Sequence, residues 1–107
     1  MLLRELTIPL SEYVRRLSDQ ANCELDLKLI LSPFGICYGD HPAEEGYLVG
    51  HFLDALADDF SPGALVDVYD VITCAWDLGF DAAGGFLDQG HLILGRHIQE
   101  LKVSRVP

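Results

Sequence analysis

The side chains of this 107-residue chain that could do chemistry are above all carboxylates, and they are placed unevenly. Between Leu29 and Gly95 run 67 residues with no Lys or Arg and eleven acids: Asp40, Glu44, Glu45, Asp54, Asp58, Asp59, Asp67, Asp70, Asp77, Asp81 and Asp88. The seven basic residues flank that stretch, with Arg4, Arg15, Arg16 and Lys28 before it and Arg96, Lys102 and Arg105 after it. The net charge of −10 therefore comes from the middle of the chain. Tyr47, His51, Asp54 and Asp58 recur at helical spacing, and so do Asp67, Asp70, Cys74 and Asp77. On a helix rising ~1.5 Å per residue, each set lines one face. Like charges three or four residues apart cost an isolated helix roughly 0.2–0.5 kcal/mol per pair, so these stripes are expected to be tolerated by the fold rather than to help it. What they can do is meet Lys and Arg side chains, including those that would otherwise contact nucleic-acid phosphates.

Other chemistries find weaker support. His41, His51, His91 and His97 supply metal-ligand types, but there is no HExxH, no Cys-x-x-Cys and no calcium loop with alternating oxygen ligands around a glycine. No metal or cofactor is expected. Cys37 with His41, or Cys74, could make a nucleophile. Asp70 and Asp77 would raise the Cys74 thiol pKa, the opposite of activation, and Cys37 reads as core packing. Carboxylate pairs could act as acid and base, yet a chain this short with a single Trp offers no evident substrate cleft. Phosphate-cradling glycine motifs are absent, and the charge opposes direct nucleic-acid binding. The expectation is a protein that is not an enzyme.

The elements that must carry these residues can be read from periodicity. Leu10, Tyr13, Val14, Leu17 and Ala21 predict an amphipathic helix from about 10 to 22. Glu24 to Leu29 alternates strictly, Ser32-Pro33-Phe34-Gly35 has turn chemistry, and Gly35 to Tyr38 can return, so a β-hairpin is expected there. Pro42 suits a first helical turn, and Leu48, Val49, Phe52, Leu53, Leu56 and Phe60 mark the buried face of a helix over 42–59. Ser61-Pro62 predicts the next start, with Leu65, Val68, Ile72, Ala75 and Trp76 as its apolar stripe. A third helix capped by Asp81 and running through Leu101 is expected, broken near one of its glycines, with a loop through Gly90 and a strand at His91 to Leu94 as the alternative. The fold class is thus α+β, one small acidic globular domain over residues 1–107 with an N-terminal helix, a hairpin and a helical C-terminal half; a mostly α fold is the alternative.

Half the residues are hydrophobic and 22% are charged, which separates this chain from disordered acidic tails. Three cysteines, an odd set with no close pair, favour a reducing compartment. Charge appears at Arg4, too early for a signal-peptide apolar region, and no run reaches membrane-spanning length. A cytoplasmic protein with no membrane partner is expected. Spare apolar surface would serve a homodimer or a protein partner. Tyr38, Phe52, Phe60, Trp76, Phe80 and Phe86 mostly fall on apolar faces and read as core; among them Trp76, followed by Asp77, is the candidate exposed anchor.

In length, acidity and cysteine use, though in no motif, the chain resembles small acidic inhibitor proteins of the toxin-immunity, anti-CRISPR and anti-restriction kinds. That resemblance implies stoichiometric blocking of a basic nuclease or nucleic-acid-binding complex. The residues assigned to partner binding are Asp54, Asp58, Asp67, Asp70, Asp77 and Trp76, and charge reversal at Asp67 and Asp70 is expected to abolish binding without harming the fold. Two alternatives stand beside it: a small metal- or ligand-binding enzyme domain using His41, His51 and carboxylates, and a homo-oligomeric assembly subunit.

Overall fold

The structure is a computed structural model that describes residues 6–44 and 46–87. Its elements in chain order are β1 (Ile8–Pro9), α1 (Leu10–Leu17), α2 (Leu27–Leu31), α3 (Val49–Asp59), β2 (Leu65–Val66), α4 (Val68–Asp77) and α5 (Asp81–Gly85), with single 3₁₀ turns after α1 and α2. The α+β class holds, as helices around one small antiparallel pair, β1 with β2 (Ile8 opposite Val66, Pro9 opposite Leu65). This pair ties the start of α1 to the start of α4. Leu10 N–H donating to the Ala64 carbonyl (2.8 Å) and Ser11 N–H to Pro62 (2.9 Å) extend the tie into the first turn of α1.

The hairpin expected over residues 24–38 does not form. Asp26 takes the helix N-cap role: its carboxylate accepts the Lys28 N–H at 2.9 Å, and α2 follows at once. A capping side chain satisfies a donor that a strand would have to pair elsewhere, so the alternating run stays extended only as far as Asp26. From there the buried positions are Leu27, Ile30 and Leu31, a helical set. The extended part makes two isolated bridges, Glu24 with Leu48 and Asp26 with Pro42.

That pairing also moves the start of α3. Pro42 is held in a bridge instead of opening a helix, and Gly46 at φ +72° lies between it and the first helical residue, Val49. No side chain caps α3. Its first two N–H groups instead donate to backbone carbonyls, Val49 to Cys23 and Gly50 to Ala21, both at 2.9 Å. Ser61-Pro62 begins a turn, and α4 starts later, at Val68. The N-terminal helix ends at Leu17 and tightens into a 3₁₀ turn over Ser18–Gln20. A helix does begin at Asp81, but Asp81 is its first helical residue and not its cap, since Phe80 holds the N-cap position and no side chain caps α5; a π-type turn follows at residues 86 and 87. The rest of the helix expected up to Leu101, with Asp88, His91 and His97, lies outside the described residues, as does Glu45.

One apolar core joins the elements. Leu10, Tyr13 and Leu17 of α1 bury against Ile30 and Leu31 of α2, Val49, Phe52 and Leu56 of α3, Val71, Ile72 and Ala75 of α4, and Phe80, Ala83 and Phe86 beyond it. Tyr13 sits at its centre, with its ring 5.5 Å from Phe34 and edge-on to Phe52 at 6.2 Å. The Tyr13 hydroxyl donates to the Ile30 carbonyl at 2.7 Å. Burial, followed by the nearby Cys74 thiol, pushes its ionisation far above the usual tyrosine range. Removing the hydroxyl leaves that carbonyl without this donor, so Tyr13→Phe should lower stability by about 1–2 kcal/mol in denaturant unfolding. An unchanged midpoint would show that water replaces the bond.

Candidate functional site

Among the described residues there are three cations, Arg15, Arg16 and Lys28, and each already has a partner. Arg15 and Arg16 both bridge to Glu12, and their hydrogen bonds, Arg15 first, hold its carboxyl down to about 2. Arg16 also donates to the Pro33 carbonyl at 2.7 Å. Lys28 lies 3.4 Å from Asp40. The carboxylates of α3 and the end of α4 are left without compensation: Asp54, Asp58, Asp59 and Asp77 are all exposed, and none forms an ion pair among the described residues.

Three of these four stand where a helix least favours them. Asp58 and Asp59 end α3 and Asp77 ends α4, and neither last turn holds a basic residue. The C-terminal pole of a helix carries partial negative charge, so each carboxylate there opposes the fold by about 0.3–1 kcal/mol at low salt. Asp59 and Asp77 come together with Asp70 around a shallow cleft of about 190 Å³, completed by Phe60, Tyr69, Thr73 and Cys74. Asp59 does not belong to the Asp54–Asp58 stripe. It lies one residue further round the helix, on the side that meets α4, a placement that spacing along a single helix does not reveal. Burial, then the Asp59 and Asp77 charges, push the Cys74 thiol up to about 11, so it is no nucleophile at neutral pH.

Asp67 and Asp70 behave differently from the rest of their stripe. The Asp67 carboxylate accepts the Asp70 N–H at 2.9 Å, and the Asp70 carboxylate accepts the Asp67 N–H at 3.0 Å. This is a reciprocal capping box at the N-terminus of α4, where the dipole favours negative charge. Both residues are half-buried. The expectation that their charges can be reversed without harm to the fold is therefore corrected, and so is the view that these two carboxylates are merely tolerated.

Trp76 is 51% exposed, as expected of an anchor, while Phe52, Phe80 and Phe86 are buried and Tyr38 and Phe60 half-buried. The indole rests against α5 at Gly84, where an added Cβ would come within 2.9 Å of Nε1. Among the described residues, Leu65, 62% exposed, is the other large apolar side chain left in solvent. Cys37, expected in the core, is exposed in the loop after α2. His41 and His51 are not brought to one site: His41 lines a groove with Asp40, Glu44 and Asp81, and His51 stands on α3 outside it. Among the described residues no three His, Cys, Asp or Glu side chains are placed to share a metal ion, and no helix is long and apolar enough to cross a membrane.

No protein-family model, curated protein or solved structure matches this chain. Its function has to be argued from its own surface.

Proposed function

We propose that this chain is a small acidic stoichiometric inhibitor that binds and blocks a basic nuclease or nucleic-acid-binding protein, of the anti-CRISPR, anti-restriction or toxin-immunity type. It works by occlusion and not by catalysis. The observation that supports this reading is the set of uncompensated carboxylates on α3 and at the end of α4, three of them (Asp58, Asp59 and Asp77) held at helix poles where they oppose the fold. A cationic partner relieves that repulsion on binding, and the same field speeds encounter at low salt. Trp76, half exposed beside Asp77, adds an aromatic anchor to the charged face.

The test joins capture to a functional readout. Immobilised chain is exposed to native lysate, the salt-eluted partner is identified, and its nuclease or nucleic-acid-binding activity is titrated with free chain. Inhibition complete at a fixed molar ratio is expected. The variant Asp54→Asn/Asp58→Asn/Asp77→Asn should bind about 10–100-fold more weakly, with a shallower salt dependence, on the basis of roughly 0.5–1 kcal/mol per exposed charge pair. Its melting temperature should hold or rise, because carboxylates are removed from negative helix poles. A triple variant that inhibits as well as the original chain would remove the acidic-face mechanism.

A further inference from the structure

The groove at His41 is a cavity of about 460 Å³ between residues 40–44 with Tyr47 on one side and the corner joining α4 to α5 on the other. Both walls are fixed by hydrogen bonds of the main chain, one of them to a side-chain carboxylate. On the loop side, Ala43 N–H donates to Leu25 (2.8 Å), Leu25 N–H to Tyr47 (2.6 Å), and His41 N–H to the Asp26 carboxylate (2.9 Å). On the helix side, Gly79 N–H donates to Trp76 (2.8 Å) and Phe80 N–H to Ala75 (3.1 Å). These are the two bonds of a Schellman motif, with Gly79 at φ +99°. A cavity whose walls are set before any ligand arrives loses little entropy on filling.

Its lining combines two chemistries. Pro42 and Ala82 offer apolar surface, with Ala43 and Phe80 of the core behind them, and Tyr47 and His41 add ring faces. The charged groups are Asp40, Glu44 and Asp81; Lys28 engages Asp40, while Glu44 and Asp81 have no cation beside them among the described residues. The complementary ligand therefore has an apolar stem and a cationic head that tolerates partial dehydration and stacks on rings. A guanidinium does this better than the compact, strongly hydrated ammonium of lysine.

We infer that the groove receives one arginine side chain of the basic partner, its stem on the apolar floor and its guanidinium at Glu44 and Asp81. The inference rests on the inhibitor reading and adds to it a specificity pocket. Only Leu78 separates Gly79 to Ala82 from Asp77, which ends α4, so a partner lying on the end of α4 has the groove within reach.

The experiment is an amide-resolved NMR titration of the full chain with the peptide acetyl-Gly-Arg-Gly-amide. Its neutral isostere, with citrulline in place of arginine, serves as the control. Saturable shifts are expected at Ala43, Glu44, Tyr47 and Gly79 to Ala82 with the arginine peptide and not with citrulline. Glu44→Gln/Asp81→Asn should weaken them about fivefold or more, and both positions are exposed, so the fold survives the change. Equal response to citrulline, or shifts confined to the carboxylates of α3 and α4, would overturn the arginine pocket. Either result leaves the inhibitor reading to its own test, which measures blocked partner activity and not peptide shifts.

Discussion

Asp67→Lys/Asp70→Lys should unfold about 10–20 °C below the original chain, a loss of about 2–4 kcal/mol. Each carboxylate accepts the other residue's N–H, at 2.9 and 3.0 Å, so the substitution deletes both bonds at the N-terminus of α4. Loss of an N-cap side chain alone costs about 0.5–2 kcal/mol. Two ammonium groups at the positive pole of the helix add about 0.3–1 kcal/mol each. In a domain of this size each kcal/mol moves the midpoint by roughly 4 °C or more. The companion variant Asp67→Ser/Asp70→Glu rebuilds a Ser-x-x-Glu capping box and should recover most of the loss. If the double Lys variant melts with the original chain, the box contributes nothing and both carboxylates return to the docking face. If it melts early and the companion does not, weakened binding by the Lys variant cannot be credited to lost partner contacts. The clean probes of docking are then Asp54, Asp58 and Asp77.

The capping box shows where reading the sequence stops. Asp-x-x-Asp at helical spacing looks the same whether the residues lie on a helix face or across its first turn, and only the start of α4 at Val68 decides. Ser61-Pro62 carried the stronger local signal for that start. Pairing of Val66 with Ile8, far away in the chain, keeps Leu65–Val66 extended and delays the helix. The hairpin expected at 24–38 failed for a related reason. Alternation from Glu24 to Leu29 is real, but Leu25 and Leu27 are also buried in the observed turn into α2, and the Asp26 cap tips the balance. Where one helix buries one face, the pattern sufficed: Val49, Phe52, Leu53 and Leu56 are buried, and Asp54 and Asp58 are exposed. The groove was out of reach altogether. Its walls come from residues some 35 positions apart, and no local pattern relates Glu44 to Asp81.

Gly79→Ala should cost about 2–4 kcal/mol and open the groove at the same stroke. The residue sits at φ +99°, a conformation L side chains rarely adopt, and backbone strain of this kind costs about 1–3 kcal/mol. The new methyl also meets a neighbour: its carbon would lie 2.6 Å from the Tyr47 hydroxyl and 3.4 Å from the ring carbon that bears it. Either the turn between α4 and α5 gives way or Tyr47 moves off the groove wall. Denaturant unfolding should show a lower midpoint with an unchanged slope. A double-mutant cycle with Tyr47→Phe separates the two causes, because removing the hydroxyl relieves the contact and leaves the strain. Coupling near 1 kcal/mol would assign that share to Tyr47 and predict that Gly79→Ala also weakens arginine-peptide binding. Strict additivity would place the whole loss in the backbone, with the groove wall intact and peptide binding unchanged. A Gly79→Ala variant as stable as the original chain would mean that α4 does not end in this left-handed turn, and the groove would lose one of its two walls.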